Sequence, residues 1–163
     1  MLTIQRAEKV DLLLIREMAI ESWTVAYASI LSPAQLSFML EHIYAIPSLE
    51  KQMQELQQFY LLKRFEHVLG FASFSIIDPS KQEVKLNKFY LLPTFKGKGY
   101  GKLFMNMMLH QMHICGGRKI FLNVNRNNPA VSFYEHCGFK IIRQEDVPIG
   151  IFWMNDFVME IQL

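Results

Sequence analysis

Three glycines and three lysines stand together at Lys96-Gly97-Lys98-Gly99-Tyr100-Gly101-Lys102, where a run of branched and aromatic residues gives way to one with helical spacing. Glycine lets the backbone take positive φ and come close to a ligand, and the first amides of the following helix have no acceptor within it. The chemistry on offer is anion binding, with a phosphate or pyrophosphate as the natural guest. Two common phosphate cradles fail on spacing. A P-loop needs a glycine where Lys96 stands and a Ser or Thr where Leu103 follows Gly101-Lys102. The dinucleotide fingerprint GxGxxG needs glycine at position 102, which is lysine, and no early strand-helix-strand unit surrounds the loop. A nicotinamide or flavin cofactor does not fit.

The chain around the loop is that of an ordinary globular protein. Its 163 residues suit one domain, 1–163, with a sizeable core. A net charge of +2 with 51% hydrophobic and 20% charged residues carries no nucleic-acid footprint. The basicity is local: Lys85, Lys88, Lys96, Lys98 and Lys102 cluster, as expected of a face that meets a small polyanion. Met1 leads directly into strand-like Leu2-Thr3-Ile4-Gln5-Arg6, so we expect no signal peptide, and no run approaches a membrane span. Cys115 and Cys137 are the only cysteines, which suggests reduced thiols in the cytoplasm. Neither has the histidine and acid spacing of a nucleophile, and no metal site is expected.

The elements that position the loop follow from periodicity. Apolar residues at Leu12, Ile15, Met18, Ala19 and Trp23 predict a helix over Asp11 to Tyr27. Ser32-Pro33 caps and opens a second helix to Tyr44, and Pro47-Ser48 a third to about Gln57. Phe59 to Phe65, Val68 to Ile77 and Val84 to Leu91 then read as three strands joined by turns short enough to make them antiparallel. Tyr100 to Cys115 is a helix stopped by Gly116-Gly117, and Lys119 to Val124 a strand. Asn128-Pro129 opens a short helix ended by Gly138, before strands over Phe139 to Glu145 and Ile151 to Ile161. The order predicts an α/β fold with a mixed, mostly antiparallel central sheet flanked by helices. The loop falls where the chain crosses to a parallel strand, a place where open sheets bind ligands.

Two segments together carry a family resemblance. Lys96-Gly97-Lys98-Gly99-Tyr100-Gly101 resembles the Gln/Arg-x-x-Gly-x-Gly/Ala loop of the GNAT acyltransferases, and Asn127, Ala130 and Tyr134 fall in step with that superfamily's Asn-x-x-Ala-x-x-x-Tyr arrangement. The element order matches the GNAT fold along essentially the whole chain, most weakly before residue 59. The resemblance implies acetyl-CoA as cosubstrate, with its pyrophosphate on Lys96 to Lys102. Lys96 departs from the usual Gln or Arg and keeps the charge without the planar fork. It further implies that the main chain of Phe89-Tyr90-Leu91 binds the pantetheine arm, although as side chains these are ordinary core strand residues. Either Asn127 or Asn128 would contact the cofactor, and either could equally be only a helix cap.

Acetyl transfer from a thioester to an amine needs a neutral amine, a polarised carbonyl and a proton for the departing thiolate. An alkyl ammonium with a pKa of ~10.4 is neutral in only about one molecule per thousand near neutral pH, so a base or water path must help. By resemblance Tyr134 is the proton donor, and a phenol with a pKa of ~10 stays protonated for that task. The general base does not carry over: where some members place a glutamate, this chain has Lys85, Asn87, Lys88 and Asn123. Glu83, expected in a solvated turn, Asp156, Glu21 and a water relay all remain open. Trp23, Tyr27, Trp153 and Asp156 are the acceptor-binding candidates, with Phe152 beside them, against the plain reading that such aromatics are core.

The expected activity is therefore N-acetyl transfer to a primary amine of a small, polyamine-like molecule or of a peptide, by direct transfer without metal. The alternatives are a non-catalytic CoA-binding sensor and a nucleotide-binding module. No nucleic acid or membrane partner is expected, and the sequence leaves the oligomeric state open, a homodimer included.

Overall fold

A computed structural model describes residues 1–163. The elements run β1 (Leu2–Arg6), α1 (Leu12–Tyr27), α2 (Pro33–Tyr44), α3 (Ile46–Gln54), β2 (Gln58–Arg64), β3 (His67–Asp78), β4 (Glu83–Leu91), α4 (Tyr100–Ile114), β5 (Lys119–Asn125), α5 (Ala130–His136), β6 (Lys140–Ile149) and β7 (Phe152–Gln162). One seven-stranded sheet in the order β1-β2-β3-β4-β5-β7-β6 holds them together. Every neighbouring pair is antiparallel except β4 and β5, which α4 connects in parallel. The sheet is mixed and mostly antiparallel, as the element order predicts.

Local signals account for most element ends. The Ser32 hydroxyl accepts from the Gln35 amide at 3.1 Å with Pro33 at the first helical position, and Gly116 leaves α4 at φ +93. Three expectations need correction. The third helix stops at Gln54 instead of about Gln57, because Leu56 takes a left-handed backbone at φ 66 before β2 begins. Strand β6 runs past Glu145 to Ile149 through Pro148, which an edge strand tolerates. Glu83 belongs to the paired end of β4 and not to a solvated turn, with its carboxylate 3.6 Å from the Lys119 ammonium.

Two cores cover the two faces of the sheet. Phe104, Met105, Met108 and Met112 of α4 pack one face with Val84, Leu86, Ile120 and Leu122; Leu12, Ile15, Trp23, Met39, Tyr44 and Leu49 of α1–α3 pack the other with Phe59, Leu61 and Phe71. Strand β4 serves both faces through a bulge. Ser73 pairs with Lys88 but Phe74 with Leu86, so Asn87 is an extra residue that shifts the pleat by one. Before the bulge Val84 and Leu86 face α4; after it Phe89 and Leu91 do, while Lys88 and Tyr90 turn toward α1–α3. Behind β4, Gly70 is obligatory for space, since a Cβ there would lie 2.2 Å from the Tyr90 carbonyl oxygen.

Lys88 is thereby carried into the interior at 7% exposure, its ammonium donating to Gln52 Oε1 at 2.6 Å and lying over the rings of Tyr44 and Phe59. Burial, reinforced by Lys85, pushes it down from the ordinary 10.5 to about 7. Between those two values the unfolded chain binds more protons than the folded one, so this group makes stability rise with pH across that window. Lys88→Met removes that slope. Its stabilising effect is greatest at and below pH 7 and shrinks toward pH 10.5. Urea midpoints of both proteins across the window check this, and an advantage that did not vary with pH would mean that the ammonium is hydrated. Gly70→Ala forces a backbone contact and lowers stability by about 1–3 kcal/mol, also read as a denaturation midpoint.

Candidate active site

Strands β4 and β5 pair only at Glu83–Lys119, Val84–Ile120 and Lys85–Phe121, so from Asn87 onward the edge of β4 that faces β5 has no strand partner. A cavity of about 830 Å³ opens there on the α4–α5 side, and one of about 330 Å³ on the α1–α3 side. Tyr27, Tyr90 and Asn123 line both, so the two cavities adjoin at these residues.

The larger cavity contains the glycine-rich loop. Gly97 and Gly99 have φ of +74 and +80, a region L side chains rarely adopt, and nothing crowds them. None of the amides from Gly97 to Lys102 has an intramolecular acceptor, since the first bond of α4 runs from Leu103 to the Gly99 carbonyl. Six free N–H groups at the positive end of a fifteen-residue helix, flanked by Lys96 and Lys102, fit the diphosphate of a CoA thioester. The side chains of Lys98 and Tyr100 lie outside the cavity: the Lys98 ammonium sits over Phe95, and the Tyr100 hydroxyl accepts from Arg64 at 2.8 Å. These two residues bring only their amides to the loop.

Phe89, Tyr90 and Leu91 of β4 line this cavity together with Asn127, Asn128 and Tyr134. Asn128 is held at both ends of its amide. Its Oδ1 accepts from the Ala130 amide at 2.9 Å, which starts α5, and its Nδ2 donates to the Tyr27 hydroxyl at 3.4 Å, which ties α5 to α1. The Asn127 side chain is exposed and makes no hydrogen bond within the protein. Tyr134 stands among Phe89, Phe133 and Phe139, with ring centroids 5.4–6.4 Å away. That apolar setting pushes its phenol well above the ordinary range, and Tyr27 and Cys137 push the same way, so the hydroxyl stays protonated. Phe133, which packs against Gly101, is a lining residue that sequence reasoning missed. Its place beside Tyr134 in the second motif is the one available hint.

The smaller cavity gathers Trp23, Tyr27 and Asp156. Asp156 is 7% exposed; its Oδ2 accepts from Asn123 Nδ2 at 3.3 Å and its Oδ1 is buried without a partner. Burial raises its carboxyl above the usual range, while Asn123 and Lys85 restrain the rise. Trp153 lines neither cavity. It is 56% exposed, and its carbonyl accepts from Gln35 Nε2 at 2.8 Å, because β7 turns its indole away from the face that carries Asp156. Lys88 and Glu145 line the smaller cavity without having been singled out for it. Strict strand alternation would have put Lys88 beside Leu86, and the bulge alone redirects it. Glu83 and Glu21 line neither cavity.

Over 93 residues, 56% of this chain and 58% of the relative, the sequence is 33% identical to an uncharacterized N-acetyltransferase of Mycobacterium tuberculosis. It is 32% identical over 85 residues, 51% of this chain and 56% of the relative, to a [ribosomal protein bS18]-alanine N-acetyltransferase of Haemophilus influenzae. The chain thus spans a little over half the length of these two relatives. The crystal structure of PaiA N-acetyltransferase from Thermoplasma acidophilum in complex with coenzyme A superposes with a TM-score of 0.83 at 27% identity, covering 100% of this chain and 99% of that one. Residues 15–139, most of the chain, match the acetyltransferase (GNAT) family. The protein belongs to that family, whose acyl donor is acetyl-CoA.

Proposed function

We propose that the protein transfers an acetyl group from acetyl-CoA to a primary amine of a small molecule or a peptide, by direct attack and without an acyl-enzyme. The observation that carries this reading is the meeting of the two cavities at Tyr27, Tyr90 and Asn123, with Tyr134 on one side and Asp156 on the other.

The amides of Gly97 to Lys102, with Lys96 and Lys102, hold the diphosphate, and the unpaired edge of β4 at Phe89-Tyr90-Leu91 receives the pantetheine arm. Because the Asn128 amide is held by Ala130 and Tyr27 while the Asn127 side chain makes no hydrogen bond within the protein, Asn127 is the asparagine we assign to the cofactor. When bound, acetyl-CoA supplies a thioester carbonyl open to attack. The bond to the amine nitrogen forms as the carbon–sulfur bond breaks, and two proton transfers complete the exchange. Tyr134, held protonated by its apolar surroundings, donates its proton to the departing sulfur. Asp156, whose elevated carboxyl is a better base than a surface aspartate, receives the proton shed by the amine nitrogen. Trp23 and Tyr27 wall the acceptor side, and Trp153 has no part in this scheme.

Two substitutions test it. Tyr134→Phe should lower kcat by roughly 10²–10⁴-fold with CoA affinity unchanged by calorimetry, the loss expected for one positioned proton donor. Full turnover in Tyr134→Phe would remove Tyr134 from the scheme. Gly99→Ala places a side chain at φ +80 and should weaken CoA binding, because the left-handed backbone then costs about 1–2 kcal/mol. Unaltered CoA affinity in a folded Gly99→Ala protein would exclude the loop as the diphosphate site.

A further inference from the structure

The smaller cavity is divided by charge along the same line that divides the sheet. Its cations, Lys85 and Lys88, both stand on β4; its carboxylates, Asp156 and Glu145, stand on β7 and β6 across the gap, directly paired in the sheet with one another. Lys88 is buried with no carboxylate within 4.0 Å, its ammonium satisfied only by Gln52 and two ring faces. Asp156 is equally buried, with one oxygen unbonded. Trp23 also lines the cavity, its indole N–H is buried beside Tyr44 without a hydrogen-bond partner, and Trp23 and Lys88 both pack on Tyr44, with the indole 5.7 Å from that ring and the ammonium 5.6 Å. Lys85 reaches Asp156 electrostatically and Glu145 pairs with Arg143 at 3.6 Å, so the two charges left without an ion-pair partner are the buried ones, Lys88 and Asp156. Buried charges left unpaired are costly, and two of opposite sign lining one cavity suit a ligand that joins them.

Resting on the acetyltransferase reading above, we infer that the acceptor is a small aminocarboxylate, its amine directed to Asp156 and its carboxylate to Lys88 and the Trp23 N–H. The amine end lies next to the meeting point of the cavities, because Asp156 is bonded to Asn123, which lines both. The carboxylate end lies under α2 and α3, where Tyr44 and Gln52 hold the Lys88 side chain. A polyamine fits less well: it would bring a further cation against Lys85 and Lys88.

Matched amines that differ only by the carboxylate test this: β-alanine against ethylamine, γ-aminobutyrate against propylamine, ornithine against putrescine, and lysine against cadaverine. Acetylation is followed by thiol release from acetyl-CoA, and binding by calorimetry with CoA present. For at least one pair the carboxylated member should bind and react at least about tenfold better, because loss of a charged partner leaves buried donors unpaired. Lys88→Met should bring that ratio close to one, and its thermal melt reports separately whether it folds. Equal or better use of the carboxylate-free amines by the unaltered protein would overturn the inference while leaving acetyl transfer intact. Selective binding of an aminocarboxylate without thiol release would uphold the inference and overturn the enzymatic reading instead. Failure of every carboxylated amine to bind would overturn the inference outright.

Discussion

Everything in this molecule that bears on function depends on the short parallel ladder between β4 and β5. Three residue pairs hold the two strands together at one end, and beyond Lys85 the strands part. A parted sheet exposes backbone groups that must find other partners, and a ligand lying against β4 is one way to supply them. The same parting leaves room for cavities on both faces of the sheet that meet in its middle. In the proposed reaction the acyl donor takes one cavity and the acceptor the other, which brings the amine to the thioester carbonyl where the two adjoin.

The bulge at Asn87 is the second constraint, because it decides what each face receives. With Phe89 and Leu91 turned toward α4 and α5, the larger cavity is lined by aromatic and apolar side chains, which keeps the Tyr134 phenol protonated. With Lys88 and Tyr90 turned toward α1–α3, the smaller cavity gains a cation in an environment that disfavours charge. Asp156 across the gap has the same problem with the opposite sign. Stability given up in this way at two buried sites is what a site poised for charged ligands would be expected to show. Gly70 belongs to the same design: only a residue without a Cβ lets β3 back this part of β4 so closely.

Much of this was legible in the sequence where chemistry acts locally. Ser32-Pro33 marks a helix start because a hydroxyl and a proline each meet a backbone need at that position, and Gly97 and Gly99 mark a loop because they can take positive φ. That Tyr134 lines the larger cavity is legible through a motif that leads into one short helix. What stayed hidden depends on long-range registration. Nothing local announces that β7 inserts between β5 and β6, and it is this insertion that sets Asp156 opposite Asn125 and beside Glu145. Nothing local announces the bulge either, so Lys88 read as part of a basic surface when it lies in the interior. The indole of Trp153 read as a pocket wall, whereas the pleat of β7 sends it outward and Asp156 inward.

The most direct measurement is a crystal structure of the protein with coenzyme A bound. The account predicts the diphosphate oxygens within hydrogen-bonding distance of the amides between Gly97 and Lys102, the pantetheine arm along β4 at Phe89 to Leu91, and the sulfur beside the Tyr134 hydroxyl. A diphosphate bound away from that loop, or a sulfur remote from both Tyr134 and the meeting point of the cavities, would contradict it.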